Sequence, residues 1–242
     1  MKKSIQRHGK LKSVASEDYD IEDIDGIEKD VTIKIVTVGD ILCENFIYED
    51  AYNKETGEYN FSHMFSDIKK YTLDSDITIG LLETNFVETQ NYSGQGIYNS
   101  PKALGEELKK LGITVLHTAS NHSLDYGFEG LKSTLDYLEE LEIDTTGTYR
   151  TEEEAGNILI KDIKGIKLAF LSYTYGTNVN TNKVPESSFC INLIDTEKIK
   201  TDIQKARAQE VDFVFVHMHW GNVNSSKQTQ TQKELADFLF EN

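Results

Sequence analysis

The sequence predicts an α/β fold in which helices cover a sheet on both faces, and three observations predict it. Short apolar runs alternate with segments of helical period along residues 31–242. Several of these runs, such as residues 77–82 (ITIGLL), contain almost no polar side chain, as in strands buried on both faces. Four runs end in side chains suited to metal or acid–base chemistry.

Residues 32–38 (TIKIVTV) read as a first strand, and Phe61, Met64, Phe65, Ile68 and Tyr71 as the apolar side of a helix. Residues 77–82 form a second strand. Ser100 as N-cap, Pro101 at the first position, Leu104, Leu108 and Leu111 on one side and Gly112 at the end mark a helix. Residues 113–118 return as a strand, a helix carries Leu131, Leu135 and Leu138, and a short strand follows at 144–148. Residues 157–163 and 167–173 flank Lys164-Gly165 as an antiparallel hairpin. Residues 174–188 are polar and predict a loop over one end of the sheet. A helix capped by Asp195 covers 195–208, residues 213–218 (FVFVHM) predict another buried strand, and a last helix starts near Gln230.

Composition narrows the function. The 242 residues suffice for one substantial core, preceded by a leader at 1–30 whose first half is basic and whose second half is acidic. Segregated charge without periodicity predicts a solvated, disordered leader, so the domain is expected over 31–242. With 41 acidic and 25 basic residues the net charge is −16, which disfavours nucleic acid as a partner. No apolar run approaches the roughly 18 to 20 residues of a transmembrane helix, and no secretory signal is recognisable. Cys43 and Cys190 show no metal-ligand spacing and are expected to be inert packing residues.

The strand ends carry the functional reading. Asp40 follows the first strand, Glu83 the second, Asn121 and His122 the third, and His217 and His219 lie in the last. Ligands of open α/β sheets bind outside the carboxyl ends of the strands, so these residues are expected to converge. Taken singly, Asp40 reads as a cap, Glu83 as a solvated strand end, and Asn121-His122-Ser123 as an Asx-turn. Together, carboxylate, amide and imidazole donors suit Mn²⁺, Fe or Zn²⁺. Asn121 would bind through its carbonyl oxygen, and His122 would protonate a leaving group. His217 and His219 share one strand face; one is expected to be a ligand and the other a supporting or core histidine. His117 is expected to be buried and hydrogen-bonded.

Residues 119–148 (ASNHSLDYGFEGLKSTLDYLEELEIDTTGT), Val38-Gly39-Asp40-Ile41, residues 76–83 (DITIGLLE), His219-Trp220-Gly221 and residues 230–238 (QTQKELADF) occur in that order. At these segments the sequence resembles the CapA or PgsA capsule-synthesis family. The resemblance implies a metallophosphoesterase-like (calcineurin-like) fold, a layered α/β/β/α sandwich with mixed sheets. It implies metal-ligand roles for Asp40, Glu83, Asn121 and His219, with His122 as the acid and no role for His217. Leu81 stands where the family has Asn, Ser120 replaces the first Asn of A-N-N-H, and Asn222-Val223-Asn224 replaces the acid after H-W-G. The family continues to a G-x-H-P-H motif, whereas none of the six histidines lies beyond His219, so an incomplete C-terminal part is expected.

The resemblance implies a role in poly-γ-glutamate capsule or related polymer production, at the cell surface or in a membrane-associated synthase complex. The substrate is expected to be an anionic polymer or phosphoester, which would meet local positive charge at Lys102, Lys109, Lys110 or Lys183, or bound cations. Two alternatives are a non-catalytic polymer-handling scaffold and an inactive fragment.

Overall fold

The apolar runs do form strands, and these fall into two stacked sheets. The structure is a computed structural model that describes residues 31–242; the leader expected at 1–30 lies outside the described residues. From Ile33 to Asn242 the chain forms one unit. It opens with β1 (Ile35–Ile41), α1 (Asn45–Ala51) and a small hairpin of β2 (Tyr52–Asn53) and β3 (Glu58–Tyr59). Then come α2 (Lys69–Thr72), β4 (Ile77–Leu82), and a second small hairpin of β5 (Ser93–Gln95) and β6 (Ile97–Asn99). The chain continues through α3 (Lys102–Lys110), β7 (Ile113–His117), α4 (Gly127–Glu140) and β8 (Asp144–Thr146). After α5 (Glu152–Gly156) come β9 (Leu159–Ile163), β10 (Ile166–Thr174), α6 (Ser187–Cys190), α7 (Thr196–Arg207), β11 (Phe213–His219) and α8 (Gln230–Glu241).

The first sheet has the order β1-β4-β7-β8 and is parallel throughout. The second, β11-β10-β9, is mixed: β10 runs parallel to β11 and antiparallel to β9. Ile77, Ile79 and Val115 of the first sheet meet Leu168 and Phe170 of the second in the core between them. Leu104, Leu108, Tyr137 and Leu138 of α3 and α4 cover the outer face of the first sheet. Ile199 and Ile203 of α7, with Phe238 and Leu239 of α8, pack on Leu171 and Tyr173 of the second. The molecule is thus layered α/β/β/α, as expected, because each sheet has two apolar faces to cover.

Local chemistry accounts for the helix ends. The Asp195 side chain accepts from the Lys198 N–H, capping α7 as expected. Gly112 closes the α3 segment with a φ of 80°, a conformation that favours glycine. Pro101, rather than Ser100, occupies the N-cap position of α3; the Ser100 hydroxyl is instead 2.7 Å from that of Thr84.

The helix expected from Phe61 to Tyr71 is broken into a 3₁₀ segment, Ser62–Phe65, and the single turn of α2. Polar side chains compete for the backbone here: the Ser62 N–H donates to Asn60 Oδ1 and Ser66 Oγ to the His63 carbonyl. β11 is partly exposed rather than buried, with Phe213 56% exposed, because it lies at the edge of its sheet among the described residues.

Candidate functional site

The turn after β7 determines how Asn121 and His122 are presented. An Asx-turn on Asn121 was one expectation, but the flanking serines hold the turn. The His122 N–H donates to Ser120 Oγ and the Ser120 N–H to Ser123 Oγ. Ser123 Oγ also lies 2.7 and 2.8 Å from the carbonyl oxygens of Thr118 and Ser120. The Asn121 amide is therefore free to reach across to the second sheet. There the His219 Nε2–H donates to Asn121 Oδ1 at 2.7 Å, and Glu83 Oε1 lies 3.6 Å from the same nitrogen.

Glu83, Asn121 and His219 thus meet at the carboxyl ends of β4, β7 and β11. Asp40, in the last turn of β1's path, is exposed and acts on the group through its charge. It follows a bulge: Thr37 pairs with Ile79 but Asp40 with Leu81, so Val38 and Gly39 face only Gly80. The Glu83 carboxyl is pushed up to about 7, first by burial and then by the Asp40 charge. Burial holds the His219 imidazole below its ordinary value, against the opposite pull of Asp40.

The donor set can be tested against a divalent ion. Ligand atoms about 2.0–2.2 Å from one metal stand roughly 3.0–3.6 Å from each other. The 3.6 Å contact between Glu83 Oε1 and His219 Nε2 matches that spacing, whereas the 2.7 Å contact with Asn121 Oδ1 is a direct hydrogen bond that would have to open for an ion. Two oxygens and an imidazole nitrogen are also suitable donors. The shell is open, since no group of three or more His, Cys, Asp or Glu side chains is gathered for a metal among the described residues. Glu83, Asn121 and His219 therefore offer at most a partial donor set of two oxygens and one nitrogen.

His122 faces the same crevice with its ring held by partners the sequence reading missed. Its Nδ1–H donates to Asp125 Oδ2 at 2.7 Å, and the same oxygen accepts from the Tyr98 N–H at 2.8 Å. The Tyr98 ring meets the imidazole edge to face at 4.4 Å. Asn85 Nδ2 donates to the His122 carbonyl. From the loop after β10, the Asn178 N–H donates to the Asn121 carbonyl, and its Nδ2 lies 3.3 Å from both ring nitrogens of His122. The loop expected at 174–188 therefore does border the strand ends. Asp125 had a sequence signal, a His-x-x-Asp spacing that fits one turn; Asn178 had only its place in a polar loop.

His217 lies two residues before His219 on β11, close enough to His219 and Asp40 for their charges to act on its imidazole. Its ring stacks on that of His117 at 4.7 Å. His117 is buried as expected but not fully satisfied: its Nδ1 and His217 Nε2 lack hydrogen-bond partners among the described residues. Cys43 and Cys190 are buried and free, with burial raising both thiol pKa values. Lys102, Lys109 and Lys110 pair with Glu88, Glu142 and Glu107, so they form no joint basic patch.

The family model for "Bacterial capsule synthesis protein PGA_cap" matches residues 34–242. The chain is 26% identical over 214 residues to the capsule biosynthesis protein CapA of Bacillus anthracis, covering 84% of this chain and 50% of that protein. It is 26% identical over 209 residues to the PGA biosynthesis protein CapA of Bacillus subtilis (strain 168), covering 82% and 52%. It therefore spans about half the length of the curated relatives it matches. Among solved structures, the calcineurin-like phosphoesterase YfkN from Bacillus subtilis aligns with a TM-score of 0.44 and 12% identity, over 87% of this chain and 68% of that one. The family match spans every strand-end residue of the crevice, and the chain belongs to the bacterial capsule synthesis protein PGA_cap family.

Proposed function

We propose that this protein serves in making a bacterial capsule or related surface polymer such as poly-γ-glutamate, through a divalent-metal site of phosphoesterase type. The capsule half rests on family membership and on the named roles of the two CapA relatives. The same reading puts residues 31–242 at work at the cell surface or beside a membrane-bound synthase complex, on an anionic polymer or phosphoester. Among the described residues no helix is long and apolar enough to cross a membrane, so attachment would come through a partner or another segment.

The hydrolytic half rests on one observation: three strand ends bring Glu83, Asn121 and His219 to a common point. With Asp40 facing them, they would hold Mn²⁺, Fe or Zn²⁺, which when bound polarises a phosphoryl oxygen and makes hydroxide available near neutral pH. The protein's own residues handle orientation and the proton. Asp125 accepts from His122 Nδ1 and fixes the orientation of the ring. The other nitrogen of His122 is left to pass a proton to the departing oxygen. Asn178 and Tyr98 keep the ring from turning away.

Metal content of the purified protein, by elemental mass spectrometry after Mn²⁺ loading and dialysis, tests this reading. About one equivalent is expected, with loss in both Asn121→Ala and His219→Ala. If wild type retains none, or both variants retain it, the crevice is not the metal site. A polymer-handling scaffold would then be the better reading.

A further inference from the structure

We infer that the phosphoester bound at this crevice carries a hydrocarbon chain, and that an apolar cavity beside Asp40 receives that chain. The inference deepens the phosphoester reading and rests on it. The cavity, about 260 Å³, lies between the end of β1, α1, residues 61–72 and α3. Gly39 and Asp40 are among the residues that line it, so the residue whose charge acts on Glu83 and His219 also belongs to the cavity wall. Its wall includes Ile41, Ile47, Met64, Phe65, Ile68 and Leu104. Only Leu104 of these is buried; the other five keep part of their surface open to solvent.

Close-packed interiors leave few hollows of this size. An apolar hollow continuous with a few polar groups is the usual construction of a small-molecule site. Met64, Phe65 and Ile68 of the cavity wall sit on the short, irregular stretch where the expected helix breaks.

The surface next to Ile68 and Thr72, which line the cavity, favours a ligand that comes from a lipid surface. Ile68, Tyr71 and Leu73 are 39%, 56% and 55% exposed, and Lys69 and Lys70 stand among them. Lys70 Nζ lies 4.8 Å from the centre of the Tyr71 ring. Apolar and aromatic side chains interleaved with lysines suit a lipid–water boundary. On a chain of net charge −16, such a stretch is also a place where an anionic surface can approach. The ligand class is therefore the phosphate ester of a long-chain alcohol, with its head at the crevice and its tail in the cavity.

Calorimetric titration of the full Mn²⁺-loaded chain with n-alkyl phosphates from ethyl to decyl tests the inference. Each methylene moved from water into the cavity should tighten binding by up to roughly fourfold, levelling off once the cavity is full. Decyl phosphate should bind at least about 100-fold more tightly than ethyl phosphate. Met64→Trp, which fills the cavity, and Ile68→Asp, which charges its mouth, should each flatten that rise. Both side chains are partly open to solvent, and circular dichroism melting checks that each variant folds.

Equal affinity across the series overturns the inference. A rise that survives both variants also overturns it, because the tail would then bind elsewhere. Failure of the underlying reading looks different: no metal and no hydrolysis of ethyl phosphate, with chain-length dependence persisting after chelation. That result removes the phosphoester head while upholding the cavity.

Discussion

Asn121 shows how a residue acquires its role from its neighbours. Asparagine at a turn ordinarily bonds its own backbone, but Ser120 and Ser123 take over that task and release its amide toward His219. Its presence at a strand end was legible in the sequence; its release depended on hydroxyl geometry that spacing alone does not give. Asp125 is similar, because its importance comes from the Tyr98 N–H and the His122 ring meeting on one carboxylate oxygen. Asp125→Asn keeps the size but removes the charge that orients the imidazole. It should lower phosphoesterase kcat about 100-fold or more while metal content stays near wild type. Loss of metal together with activity would point to collapse of the turn instead. His117 gives a separate prediction about acid stability. Burial and the adjacent His217 push its pKa down to about 3, whereas in the unfolded chain it titrates near 6.5. Between these values the unfolded state binds more protons, so stability is present above about pH 6.5 and is lost as pH falls toward 3. His117→Phe should make the loss of urea stability from pH 6.5 to 4 shallower, by up to about 1.4 kcal/mol per pH unit. Parallel curves for variant and wild type would remove His117 from the acid response.

The elements that carry strong local signals lie close to where the sequence puts them. Residues 77–82 form β4, Asp195 caps α7, and Lys164 and Gly165 both take positive φ in the two-residue turn between β9 and β10. The small hairpins β2–β3 and β5–β6 were not legible, because strands of two or three residues are too short to show alternation. The helix expected at 61–71 failed because its serines and Asn60 draw on the same backbone groups a helix would use. Between β8 and the loop that follows, Gly147 links both sheets. Its φ is 103°, and an added Cβ would stand 2.8 Å from Ala119 Cβ and 2.9 Å from Ser172 Cβ. Strain and overpacking then act together, so Gly147→Ala should cost about 3 kcal/mol. Ala119 begins the turn that presents Asn121, so metal affinity should fall as well. A cost below about 1 kcal/mol in urea unfolding would mean that the two sheets separate there more easily than their packing indicates.

At the scale of the whole molecule, periodicity identified strands but not their partners. The second sheet was foreseen through the family resemblance, since a run such as residues 213–218 reads the same whether it extends the first sheet or faces it. The resemblance also brought Asp40, Glu83, Asn121 and His219 together as a set, and the layered fold carries them to the strand ends of both sheets. A net charge of −16 acts on this whole structure by self-repulsion, which leads to a way of separating general from specific cation effects. Raising NaCl at constant pH should screen that repulsion and increase Tm similarly in wild type and in Asn121→Ala. Mn²⁺ at matched ionic strength should add a second increment in wild type. At 100 times its Kd the ion stabilises the folded state by about 2.7 kcal/mol, which corresponds to roughly 5–10 °C for a chain of this size. Asn121→Ala should retain the NaCl effect and lose the Mn²⁺ increment. Equal Mn²⁺ shifts in the two proteins would assign the ion to the acidic surface rather than to the crevice.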